Sequence, residues 1–191
     1  MPQHYAEQKG HRGCAIWLTG LSGAGKSTLA IHTEAKLFEA GIHTFVLDGD
    51  VLRRSISRDL GFSEKDRAEN VRRAADIARL FVEAGIVVIV ALISPFEKNR
   101  QLARQQFKGE TFFEVFVECP LEICMQRDPH GLYAKAKKGE IAEFTGISSP
   151  YEQPQQPDLT VHTAEQNVAA SVELISEFIL KRIQLSQVKA S

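Results

Sequence analysis

Short apolar runs recur along this chain, separated by longer stretches in which apolar residues return every three or four positions. The runs fall at residues 14–19, 43–47, 86–92, 112–117 and 159–162, and segments of helical character fill most of the gaps between them. Such alternation predicts an α/β fold with a parallel sheet covered by helices on both faces. The run 86–92, Ile-Val-Val-Ile-Val-Ala-Leu, has no polar side, as a central strand buried on both faces requires. Near the end, Val168, Val172, Leu174, Ile175, Phe178 and Ile179 recur at helical spacing within 164–183, which reads as a packing helix. Residues 127–157 carry Gly, Lys and Pro without strong periodicity and are expected to form a mobile lid and a substrate loop; the polar stretch 1–13 is expected to be flexible. The whole of 1–191 reads as one domain, because 191 residues at 43% hydrophobic suit a single well-buried core.

In an open parallel sheet, ligands bind beyond the carboxyl ends of the strands, so chemistry is sought just after each run. After the first stand Gly20, Leu21, Ser22, Gly23, Ala24, Gly25, Lys26 and Ser27, the phosphate-loop spacing G-x-x-x-x-G-K-[ST] set between a strand and a helix. The glycines let successive backbone N–H groups face a phosphate, and the helix N-terminus adds partial positive charge. Lys26 is expected to reach the β- and γ-phosphates of ATP and Ser27 to ligate Mg2+, with Thr28 completing the ATP-binding stretch. The fold is thus expected to be of the P-loop NTPase type.

After the second run comes Asp48-Gly49-Asp50. Phosphoryl transfer needs a group to orient or deprotonate the attacking hydroxyl, for which Asp50 is the candidate, with Asp48 supporting it. Among the arginines that follow, Arg53 and Arg67 lie nearest the loop ends facing the site and suit bidentate capture of anionic oxygens. Ser94, after the third run, is either an N-cap for a helix opened by Pro95 or a residue that transiently carries the phosphoryl group; no histidine stands near it in sequence to act as base. Phe62 and Phe144 each sit beside a glycine in a loop, where a ring can stack on a purine.

Composition narrows the partners. A net charge of −1 provides no global field toward nucleic acid or membrane, and no apolar stretch reaches the length of a membrane span, so neither partner is expected and the location is expected to be cytoplasmic. Cys14, Cys119 and Cys124 are too few and too scattered for a disulfide framework and read as reduced thiols.

The phosphate loop, Asp48-Gly49-Asp50, Leu60-Gly61-Phe62-Ser63, Ile93-Ser94-Pro95 and Phe144-Thr145-Gly146-Ile147, taken in order, resemble the adenylylsulfate kinase family. The resemblance implies ATP-dependent phosphorylation of the 3′-hydroxyl of adenosine 5′-phosphosulfate, giving 3′-phosphoadenylyl sulfate for sulfate assimilation, by a homodimer. It further implies that Arg53, Arg67 and Asn70 hold the phosphosulfate nucleotide and Phe62 and Phe144 sandwich its adenine. By the same resemblance Ile93 lines the pocket, Lys135 belongs to a lid, Arg127 lies beside ATP, and Ser94 occupies the position described as a phosphoserine. Glu97 departs from the Arg usual in the family. Two other readings of the phosphate loop are a kinase for a different small molecule and a nucleotide-dependent switch. The paired rings disfavour the first, and the lack of an Asn-Lys-x-Asp string disfavours the second.

Overall fold

The computed structural model describes residues 2–185. Five strands, β1 (Cys14–Thr19), β2 (Thr44–Asp48), β3 (Val87–Ala91), β4 (Phe112–Glu118) and β5 (Leu159–His162), form one sheet in the order β2-β3-β1-β4-β5. Every pairing is parallel, with β1 lying between β3 and β4 in the registers Cys14↔Val87 and Ala15↔Phe112. The helices are α1 (Pro2–Lys9), α2 (Lys26–Glu39), α3 (Gly49–Arg54), α4 (Glu64–Glu83), α5 (Glu97–Gln105), α6 (Leu121–Arg127), α7 (Leu132–Lys137) and α8 (Val168–Ile183).

The pleat sorts alternate residues of the central strands into two cores. Ile16, Leu18, Val87 and Ile89 join Leu29, Leu37, Ile175 and Ile179 of α2 and α8. Ala15, Trp17, Val88 and Val90 join Val71, Ala74, Ala78 and Ala103 of α4 and α5. Both central strands are buried along their whole length, each large side chain contributing about 1.5–3 kcal/mol. That is why the 86–92 run shows no alternation.

The start forms a helix: α1 covers residues 2–9 and buries Ala6, and Gly85 comes so close that a Cβ there would lie 3.0 Å from Tyr5 Cβ. His11 is buried as well, its Nε2 accepting from the His43 N–H at 3.1 Å. The closing helix begins at Val168, because the Asn167 side chain accepts from Ala170 N at 2.8 Å and sets the cap there.

Candidate active site

The loop between β1 and α2 wraps its own lysine. Gly25, with φ 102°, turns the chain into α2, and Lys26 is the first residue of that helix. Gly20 has no room for a side chain, since a Cβ would lie 2.4 Å from Val117 O on β4. Lys26 Nζ donates to Gly20 O at 2.9 Å and Leu21 O at 2.7 Å. Burial pushes the amine down to about 8, against the opposing pull of nearby groups that include Asp48 and Asp50. Thr28, two residues on, is exposed.

Ser27 Oγ donates to Asp48 Oδ2 at 2.6 Å, and Asp48 Oδ1 accepts from Asp50 N at 2.9 Å, capping α3. Asp48, cast as the supporting residue, is therefore the carboxylate joined to the magnesium candidate. The Asp50 side chain is exposed and makes no hydrogen bond or ion pair with another described residue, which leaves it open to accept from a substrate hydroxyl. Ser27 and Asp48 together supply the hard oxygens that magnesium prefers. No group of three or more His, Cys, Asp or Glu able to hold a metal occurs among the described residues. This donor set fits an ion that takes its remaining ligands from phosphate and water.

α3 leads from Asp48 to Arg53, whose guanidinium lies 4.3 Å from the Phe62 ring centroid and donates to Gly61 O at 2.6 Å. Arg67, buried in α4, lies 5.5 Å from the same ring and donates to Phe62 O at 2.8 Å and Glu143 O at 2.9 Å. One side chain thus braces both loops that carry the candidate rings. Burial lowers the pKa of both guanidiniums from the usual arginine value. Asn70 is buried in the same helix with its Oδ1 unpartnered. The two rings differ: Phe62 is 52% exposed, whereas Phe144 is 7% exposed and packs edge-on against Tyr133 at 5.0 Å.

Ser94 is not an N-cap. α5 starts at Glu97, whose N–H is accepted by Glu152 Oε2 at 2.7 Å, while Ser94 adopts φ 45°, which costs on the order of 1–3 kcal/mol. Its hydroxyl accepts from Trp17 Nε1 at 3.0 Å and its carbonyl from Arg100 at 2.8 Å. The preceding Ile93 is half-buried. Glu97 pairs with the buried Arg100, so the residue that departs from the family pattern is neutralised by its own helix.

On the other flank, Arg127 donates to Thr163 O at 2.6 Å and comes within 3.5 Å of Gly23 O. Thr163 Oγ1 in turn donates to Ala24 O at 2.8 Å. Tyr133 OH donates to Ser22 O at 3.0 Å, tying α7 to the phosphate loop, while Lys135 on the same helix is exposed. Asp128 accepts from Tyr133 N and Ala134 N, both at 3.1 Å. Asp128 and Tyr133 belong to sequence strings that also match the family but were given no role of their own, and Thr163 was not singled out from sequence, although it follows the fifth strand at the same edge of the sheet.

The family model described as adenylylsulphate kinase matches residues 12–162. The chain is 52% identical over 177 residues to a probable adenylyl-sulfate kinase of Halalkalibacterium halodurans, covering 93% of this chain and 85% of that one. An adenylyl-sulfate kinase of Geotalea uraniireducens is 49% identical over 178 residues, covering 93% of this chain and 86% of the relative. The solved structure of the Mycobacterium tuberculosis APS kinase CysC in complex with AMPPNP and APS is similar at a TM-score of 0.85 and 47% identity, covering 88% of this chain and 98% of that chain.

Proposed function

This chain belongs to the adenylylsulfate kinase family, and on that premise we propose that it transfers the γ-phosphoryl group of ATP to the 3′-hydroxyl of adenosine 5′-phosphosulfate. The observation that carries this reading is the position of two guanidiniums, Arg53 and Arg67, around the exposed Phe62 ring. Arg53 stands on the short helix whose other end is bound to the phosphate loop through Asp48 and Ser27. At 1.5 Å per residue that helix is about 9 Å long, so a ring, two cations and a triphosphate cradle meet within the span of one nucleotide. An aromatic base with an anionic tail suits that combination, and a sugar does not.

In the proposed reaction Lys26 neutralises charge on the transferring group, and Ser27, oriented by Asp48, would hold Mg2+, which when bound polarises the phosphate oxygens. Asp50 orients the 3′-hydroxyl and accepts its proton as the 3′-oxygen bonds to phosphorus; the bond from phosphorus to the bridging oxygen breaks and ADP leaves. Arg53, Arg67 and Asn70 hold the phosphosulfate, Phe62 and Phe144 the adenine, and Ile93 lines its pocket. Arg127 lies beside ATP, and residues 127–157, with Lys135, act as the lid. Ser94 positions the turn after β3 and forms no covalent intermediate: its hydroxyl is engaged by Trp17, and no base bonds to it among the described residues.

The proposal includes a homodimer, which Phe45, exposed on edge strand β2 and stacked on Phe81, offers apolar surface to support. It also includes a cytoplasmic location; no described helix is long and apolar enough to cross a membrane. The test is ATP turnover with and without adenylylsulfate. Negligible turnover that rises sharply on addition is expected, and turnover indifferent to that nucleotide would overturn the reading.

A further inference from the structure

Thr19, the last residue of β1 and immediate neighbour of Gly20, is fully buried and meets three oxygens. Its Oγ1 lies 2.7 Å from Ile93 O, 2.9 Å from Tyr151 OH and 3.5 Å from Ser94 O. A threonine hydroxyl has one proton, and the shortest contact is to a carbonyl, which can only accept. That proton therefore goes to Ile93 O, and the hydrogen bond between Thr19 and Tyr151 must use the tyrosine's proton. Burial raises the Tyr151 phenol above its usual range, so it keeps this proton at all ordinary pH values.

Tyr151 ends the loop that begins at Phe144. It lines a cleft of about 550 Å³ together with Leu21 of the phosphate loop and Gly146, Ile147 and Pro150 of its own segment. The next residue, Glu152, donates its N–H to Pro95 O at 2.8 Å and accepts from Glu97 N, so the end of the loop is stitched to the turn after β3. The far end is held by Arg67 at Glu143 O. Between these anchors, the relay from Tyr151 through Thr19 to Ile93 is where the substrate loop, the turn after β3 and the root of the phosphate loop meet.

We infer that Tyr151, acting through the Thr19 hydroxyl, is a positioning residue that sets the acceptor loop in register with the phosphate loop. The inference rests on the family reading, because the acceptor it positions is adenylylsulfate. Removing the phenolic hydroxyl leaves the ring on Phe116, against which it stacks at 6.2 Å, and frees the loop end to shift relative to Ile93.

The experiment compares Tyr151→Phe, Thr19→Val, the double variant and Thr19→Ser in steady state with each nucleotide varied in turn. For Tyr151→Phe, kcat/KM for adenylylsulfate is expected to fall by about three- to tenfold, the size of one net hydrogen bond, while KM for ATP holds. Thr19→Ser keeps the relay and should retain the wild-type value; the double variant should lose no more than the worse single one. Unchanged parameters in Tyr151→Phe, equal losses for the two nucleotides, or additive losses in the double variant would overturn the inference. If Thr19→Val does not fold, Tyr151→Phe and Thr19→Ser still decide it. Wild-type turnover that ignores adenylylsulfate would instead defeat the family reading.

Discussion

Ser27 and Asp48 share a hydrogen bond of 2.6 Å, and the second oxygen of that carboxylate caps the helix that carries Arg53. One aspartate therefore connects the magnesium candidate to the acceptor side. Asp48→Asn is expected to raise the magnesium concentration needed for half-maximal rate by about 10- to 100-fold, the range seen when a group supporting a metal ligand is lost. A magnesium titration of initial rate checks this. Asp50→Asn should leave that midpoint in place and lower kcat by about 100-fold or more, the share of a general base.

Lys26→Ala should reduce transfer by about a thousandfold, because the developing charge on the phosphoryl group loses its fixed cation. Activity near wild type would reject the loop as the donor site.

The same amine gives a pH signature. Burial pushes Lys26 down to about 8, so in the free enzyme it is charged below that pH and neutral above it. kcat/KM for ATP should fall as pH rises through about 8, whereas kcat should persist further, because bound phosphate favours the charged form. A flat kcat/KM up to pH 10 would contradict the burial argument.

Ser94→Ala should retain 3′-phosphorylation in a single turnover, within about tenfold of wild type, since it loses one hydrogen bond from Trp17 and keeps the Arg100 contact to the carbonyl. Loss of product together with a trapped phosphoenzyme in the wild type would establish the covalent route.

His11 is buried, and burial lowers its pKa from 6.5. The neutral ring is the form that accepts from His43 N, so its contribution to stability is full above 6.5 and declines as pH falls through the lower folded value. Chemical denaturation between pH 7 and 5 should show this loss, and His11→Gln should flatten it.

The strands, their parallel sense and the phosphate loop were legible because each rests on local pattern: an unbroken apolar run, or glycines at fixed offsets before a lysine. Strand order was not, since nothing in residues 87–91 states which neighbours they pair with. At the site, residue types were readable but partners were not. Asp48 and Asp50 are chemically alike, and only the fold assigns one to Ser27 and leaves the other open. Phe62 and Phe144 both sit beside glycines, yet packing on Tyr133 buries only the second. Ser94 followed by Pro95 has the local signature of a helix cap, and the long-range contacts from Trp17 and Arg100 override it. Thr163 and Tyr151 act through hydroxyls that no nearby sequence pattern distinguishes.

Gly20 has a consequence for redesign. With Val117 O only 2.4 Å from where a Cβ would be, the root of the phosphate cradle is wedged against a central strand and cannot be re-tailored. The acceptor side is held by side-chain reach instead, from Arg67 and Glu152 to backbone atoms of separate segments. A fixed socket thus faces an exchangeable fitting, and a search for variants that phosphorylate a different alcohol would be concentrated on Phe62, Arg53 and the loop from Phe144 to Tyr151.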